Sequence, residues 1–245
     1  MEFVNFIIFC LLIYFILFFL NKVVNQEYFE IDDEEEMIKL KDLEMPLPSP
    51  NDPEIFYIPI IHTNDIHGSF YPKQMVLPSD NTFSVGGLEY LGKYVSIMYE
   101  EWKNRLLFFD TGDQFQGCVE GHISKGRIIM DFFNELKMRS SVIGNHDFDN
   151  GIDFLNDYMN SSKFKWTIDN IKNLTTNEYI TFLNQNTSTI LEIEGYKIGI
   201  IGLVTLLTPS STNTEMPDLK FENYLSIVNR ESSKLKKEVQ MLLLF

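Results

Sequence analysis

Residues Arg105 to Asp113 read RLLFFDTGD. A short apolar run that stops at Asp110-Thr111-Gly112-Asp113 describes a buried strand ending in a tight polar turn. The same pattern recurs on both sides. Upstream, Ile55 to Thr63 (IFYIPIIHT) leads into Asn64-Asp65-Ile66-His67-Gly68. Downstream, Ser140 to Gly144 leads into Asn145-His146-Asp147-Phe148-Asp149. Helical spacing fills the intervals. Leu88, Leu91, Val95, Met98 and Trp102 share a face within Gly86–Lys103, and Ile128, Ile129, Phe132, Phe133 and Leu136 share one within Gly126–Met138. Further helices are expected at Gly151–Asn160 and from about Glu222 to Met241. Phe164–Ile168 reads as a fourth strand, and Thr189–Glu194 with Lys197–Val204 as a hairpin turning at Gly195. Alternating strands and helices predict an α/β fold with a largely parallel sheet covered by helices.

In such sheets ligands bind beyond the carboxyl ends of the strands. Here three of those ends carry metal-type ligands in sequence order. Asp65 and His67 are two apart, so an extended segment would point both to one side. Gly68, Gly112 and Gly144 permit tight turns and close backbone approach. Any one of these segments alone is an ordinary turn. Three in order, each directly after an apolar run, are far more specific.

The blocks IHTNDIHG (61–68), DTGDQFQG (110–117) and GNHDFDNG (144–151) resemble, in order and spacing, the signatures of the calcineurin-like metallophosphoesterases. More narrowly they resemble the 5′-nucleotidase and UDP-sugar hydrolase family, with VGGLEYLGKY (85–94) and GLVTLLTP (202–209) as supporting segments. The resemblance implies a two-sheet β-sandwich flanked by helices, incomplete at its C-terminus. It implies two divalent metal ions (Zn, Mn or Mg) and release of phosphate from nucleotides by a water held between them. Asp65 and His67 would ligate the first metal, Asp113 would bridge both, and Asn145 would give its amide oxygen to the second. His146 would face the phosphate, with Asp149 holding its other ring nitrogen. Asn170 matches a family asparagine that binds substrate.

The chain has four histidines, at 62, 67, 122 and 146, and none follows His146. The family takes further metal ligands from downstream histidines, so the second metal would find only Asp113 and Asn145. Catalytic metal sites usually have three or more protein ligands. The expectation is a partial catalytic domain that turns over poorly by itself. The alternative is a non-catalytic, membrane-tethered surface or binding protein on the same fold. His62 reads as a packed strand histidine, His122 as solvent-facing, and Cys118 as a buried inert thiol.

Phe3 to Leu20 (FVNFIIFCLLIYFILFFL) is an 18-residue apolar run. As a helix it would cover roughly 27 Å, near the hydrocarbon thickness of a bilayer. Residues 1–24 are therefore expected to be a membrane anchor or signal segment. From Asn25 to Glu54 there are eleven acidic residues and two lysines, with prolines at 46, 48, 50 and 53. This predicts an extended, solvated linker over 25–54, ahead of a domain at 55–245. The catalytic domain would then be extracytoplasmic, membrane-anchored or secreted. Asn-x-Ser/Thr sequons at Asn160, Asn173 and Asn186 are compatible with that.

The whole chain has 245 residues, 44% of them hydrophobic, and a net charge of −15. This excludes a disordered or disulfide-scaffold protein and disfavours a nucleic-acid-binding surface, which needs the opposite sign. The tether carries −9 of the charge, so the sign does not argue against an anionic substrate. Two cysteines, one of them in the apolar run, leave the domain no internal disulfide, so packing must hold it. No obligate protein partner is evident.

Overall fold

The computed structural model describes residues 49–51, 55–76, 82–182, 185–186 and 188–245. The apolar run at 3–20 and nearly all of the acidic segment lie outside the described residues. Among the described residues no helix is long and apolar enough to cross a membrane. The chain divides into two units, Met1–Ile60 and Ile61–Phe245. Of the first, residues 55–60 are half-buried. The second carries the fold.

Its elements run β1 (Ile60–Thr63), β2 (Lys73–Val76), β3 (Thr82–Val85), α1 (Leu88–Trp102), β4 (Leu107–Asp110), α2 (Val119–Ile123), α3 (Arg127–Glu135) and β5 (Ser140–Ser141). They continue with α4 (Ile152–Asn160), β6 (Lys165–Thr167), β7 (Ile171–Asn173), β8 (Gln185–Asn186), β9 (Thr189–Ile193) and β10 (Tyr196–Ile201). Last come α5 (Thr208–Ser211), β11 (Leu219–Phe221), α6 (Tyr224–Leu235) and β12 (Met241–Leu244). The largest sheet has the order β1-β4-β5-β6-β8, and a second has the order β12-β10-β9. β4, β5, β6 and β8 run parallel. The result is the expected α/β architecture with two principal sheets. They meet where the Phe245 ring lies 4.7 Å from that of Phe109.

β4 shows why RLLFFD decides the fold. Leu107, Phe108 and Phe109 are all fully buried, which requires cover on both faces of the sheet. α3 supplies part of it through Ile129, Met130 and Phe133, and Phe133 meets Phe108 edge-on at 5.9 Å. On α4, Leu155, Tyr158 and Met159 face the core, and Tyr158 packs against Trp166 of β6 at 6.2 Å. Each buried aromatic contributes about 1.5–3 kcal/mol through removal from water.

Two expectations need correction. The first strand begins at Ile60 rather than Ile55, because Pro59 has no N–H to give to a ladder. The last helix stops at Leu235 rather than Met241. Its Asn223 cap and buried Ile227, Glu231 and Leu235 are helical, but Met241–Leu244 pairs in parallel with β10, Ile198 opposite Met241. Gln240 starts that ladder by donating to the Lys197 carbonyl at 2.9 Å. Tertiary pairing decides here, since MLLLF suits either structure. The β2–β3 hairpin and the antiparallel β7–β11 pair carry no clear pattern in the sequence.

Candidate active site

The β4–β5 register sets Asp110 beside Ser141, so the segments that leave these strands emerge together. Backbone hydrogen bonds join the segment after β1 to the one after β4. Asp65 donates to Gly112 O at 3.1 Å, His67 to Asp113 O at 2.9 Å and Gly68 to Gln114 O at 2.9 Å. This brings Asp65, His67 and Asp113 together, each offering one ligand atom, all within 4.8 Å of one another. All three have left-handed backbones, with φ of 51°, 48° and 54°. The turn geometry, rather than alternation along an extended segment, therefore converges Asp65 and His67. Non-glycine residues pay in conformational energy for that region and hold it only where their surroundings enforce it, most often at functional sites.

Nδ1 of His67 lies 2.6 Å from Gln116 O. A carbonyl only accepts, so Nδ1 carries the proton and Nε2 is left with a free lone pair. That nitrogen lies 3.6 Å from Oδ1 of Asp65. A backbone carbonyl that fixes the tautomer in this way is the usual support of a metal-binding imidazole. Asp113 is 8% exposed, and burial raises its pKa while the His146 N–H, 2.8 Å from Oδ1, opposes the rise. Gly144 presses on this carboxylate so closely that a Cβ there would sit 2.2 Å from Oδ1.

The third block brings a dyad. Nδ1 of His146 donates to Oδ2 of Asp149 at 2.9 Å, and its ring meets that of His67 edge-on at 5.5 Å. The Asp149 bond raises the His146 pKa, against burial. Burial pushes Asp149 up, but the Asn213 N–H, His146 and the Thr212 hydroxyl outweigh it and hold the carboxyl below its ordinary value. The Thr212 and Asn213 donors lie in Ser211–Thr214, a segment the sequence does not single out. Thr212 Oγ1 and Asn213 N reach Oδ1 at 2.8 and 2.7 Å, and Asn213 Nδ2 reaches Oδ2 at 3.1 Å. The same segment fixes Asn145, whose Nδ2 donates to Ser211 O at 2.9 Å, leaving Oδ1 as the free ligand atom.

The donors suit a divalent cation. Two carboxylates and an oriented imidazole within ligand distance of one centre are a borderline-hard set that accepts Zn, Mn or Mg.

Asn170 is fully buried. Its Nδ2 donates to Val204 O and its Oδ1 accepts from Val204 N, both at 2.8 Å. Its side chain thus pins the segment that follows β10. His62 is half-buried, with its pKa lowered by burial, and His122 is exposed. Cys118 is half-buried rather than buried, and its sulfur caps α2 by accepting from Gly121 N at 3.3 Å. Beneath the site, Asp110 accepts from Thr63 Oγ1 and Gln114 Nε2, both at 2.7 Å, and Tyr158 donates to Gln114 Oε1 at 2.9 Å.

A sheet whose strand ends gather carboxylate, imidazole and amide donors beside a His–Asp dyad defines a metal-dependent phosphoesterase architecture. Residues 58–240 match the family of calcineurin-like phosphoesterases, and the chain belongs to that family. Mouse (Mus musculus) 5′-nucleotidase is 33% identical over 188 residues, 72% of this chain and 31% of that protein. A snake venom 5′-nucleotidase from Naja atra is 30% identical over 187 residues, 74% of this chain and 34% of that one. Among solved structures, a 5′-nucleotidase precursor from Thermus thermophilus aligns with a TM-score of 0.67 at 26% identity, covering 76% of this chain and 36% of its own. The chain spans about a third of the length of these relatives.

Proposed function

We propose that the chain carries the metal-binding part of a 5′-nucleotidase-like phosphoesterase that hydrolyses nucleotides to nucleoside and phosphate. The observation that carries this reading is the convergence of Asp65, His67 and Asp113 beside the His146–Asp149 dyad. The relatives' names point to the nucleotide.

Asp65, His67 and Asp113 would hold one divalent cation, and Asp113 with Asn145 would contribute to a second. When bound, such cations supply Lewis-acid stabilisation of the phosphoryl oxygens and an activated water. The protein's own contribution lies in the dyad. Asp149 holds the His146 ring through Nδ1 and favours the imidazolium, so Nε2–H is the proton available at the reacting group. Placed against the ester, it stabilises the developing charge and protonates the departing nucleoside oxygen. Asp149 accepts from Thr212 and Asn213 and so stays ionised while His146 gives up its proton. Asn170 acts by positioning, through Val204, rather than on substrate.

Residues 3–20 would anchor the chain in a membrane, with 25–54 as tether and the catalytic part outside the cytoplasm. A venom protein among the relatives is in keeping with that location. The cluster of Asp65, His67 and Asp113 also fits a second reading, a one-metal binding protein on the same fold. Phosphate release from AMP by the full chain with Mn²⁺, Zn²⁺ or Mg²⁺, abolished by His146→Ala, supports the enzyme. Metal binding without metal-dependent phosphate release supports the second reading.

A further inference from the structure

We propose that Asp147 is the positioning residue that sets the carboxylate of Asp113 for metal binding. The proposal rests on the reading of Asp113 as a metal ligand. Asp147 is fully buried. Its charge is met by three backbone N–H groups from two segments. Oδ2 accepts from Asp113 at 3.0 Å and from Gly144 at 2.9 Å, while Oδ1 accepts from Gln114 at 3.0 Å. The clasp is reciprocal, because Asp113 Oδ1 accepts the N–H of His146, the neighbour of Asp147.

Two consequences follow from this geometry. Asp113 has φ of 54°, and the bonds to its own N–H and that of Gln114 hold the turn in that conformation. One oxygen, Oδ2, holds both Asp113 and Gly144, and Asn145 comes next in the chain. A single atom therefore fixes the spacing between Asp113 and the segment that carries Asn145. Three donors need an acceptor-only group with several lone pairs, which a carboxylate provides. An asparagine would keep the two bonds to one oxygen but turn an NH₂ towards the N–H of Gln114.

The test is a cobalt titration of the full chain, wild type, Asp147→Asn and Asp147→Ala, read by calorimetry and by the visible absorption of bound Co²⁺. Far-ultraviolet circular dichroism reports folding in parallel. Loss of a residue that supports metal ligands weakens binding about 10–100-fold. Folded Asp147→Asn is expected to bind Co²⁺ at least tenfold more weakly (about the lower end of that range) and with a changed absorption band, and Asp147→Ala more weakly still. Asp147→Asn with wild-type affinity and spectrum, even with a lowered melting temperature, overturns the proposal. Wild type that binds no cobalt removes the metal reading, and this inference with it. If both variants fail to fold, amide exchange in the wild type decides. Asp113, Gln114 and Gly144 amides as protected as those of β4 support the clasp, and rapid exchange at all three overturns it.

Discussion

Nδ2 of Asn145 donates to the main-chain oxygen of Ser211 at 2.9 Å, across 66 residues of sequence. Two residues further on, Asn213 donates its N–H to Asp149 at 2.7 Å. One short segment, from the last residue of α5 onward, thus braces a candidate metal ligand and the partner of the candidate acid. The site is built from four chain segments rather than the three that carry its obvious motifs.

The dyad should separate chemistry from metal binding. His146→Ala is expected to lower metal-dependent phosphate release by about 100-fold or more, the usual loss for a general acid. Its affinity for Mn²⁺ should stay within about threefold of wild type, since His146 is not placed as a ligand. Asn213→Ala removes one of the bonds to Asp149 and should cost about tenfold in kcat, a hydrogen bond to a charged group contributing ~1.5–3 kcal/mol. Steady-state kinetics beside a Mn²⁺ titration measure both. A His146→Ala protein that loses metal binding as fully as activity contradicts this division.

Gly144 has no room for a side chain. A Cβ there would lie 2.2 Å from Asp113 Oδ1 and 2.5 Å from Asp113 N. Gly144→Ala is expected to destabilise the fold by about 1–3 kcal/mol, as overpacking does, and to abolish tight metal binding. Urea unfolding and calorimetry check the two effects. Unchanged metal affinity in Gly144→Ala would show that Asp113 can move freely, against the arrangement described.

Stability without metal should depend on pH through buried acids, Asp110 and Asp169 among them, with Asp147 also raised by burial to about 6. Burial raises Asp110 to about 7, against the Thr63, Gln114 and Gly112 hydrogen bonds, and raises Asp169 to about 6, against the N–H bonds of Gly202 and Ser188. Both folded values lie above the unfolded ones, so the native state binds more protons between about pH 4 and 7. Stability from these groups is therefore largest below pH 4 and declines as the pH rises to about 7, with a slope of up to ~1.4 kcal/mol per pH unit for each group. Asp110→Asn keeps the oxygen that faces Gly112 and Gln114, and the Thr63 hydroxyl can rotate to accept from the new amide. It should fold and flatten the slope. Urea midpoints at pH 5, 6 and 7 in chelator give the answer, and equal slopes in wild type and variant would refute the assignment.

The sequence made the centre legible because Asp65, His67, Asp113 and His146 each follow closely on a strand of the main sheet, where spacing speaks directly. It did not show how they converge. Asp65 and His67 meet through left-handed turns held by Gly112 and Asp113 carbonyls, and backbone bonds leave no residue signature. The bracing by Ser211 and Asn213 was hidden for the same reason, since a carbonyl and an N–H can come from any residue. Asp147 was visible only as a neighbour of His146, and its role depends on three amides from elsewhere in the chain. The helix pattern runs past its true end at Leu235 because MLLLF has no period, and its partner β10 lies some 40 residues upstream.

Calorimetric titration of the full chain with Mn²⁺ or Zn²⁺ bears most directly on the claim that Asp65, His67 and Asp113 form a metal centre. One tight site, followed at most by a weaker second, with the tight site lost in His67→Ala and in Asp113→Asn, is the result expected. No saturable binding, or a tight site that survives both substitutions, contradicts it.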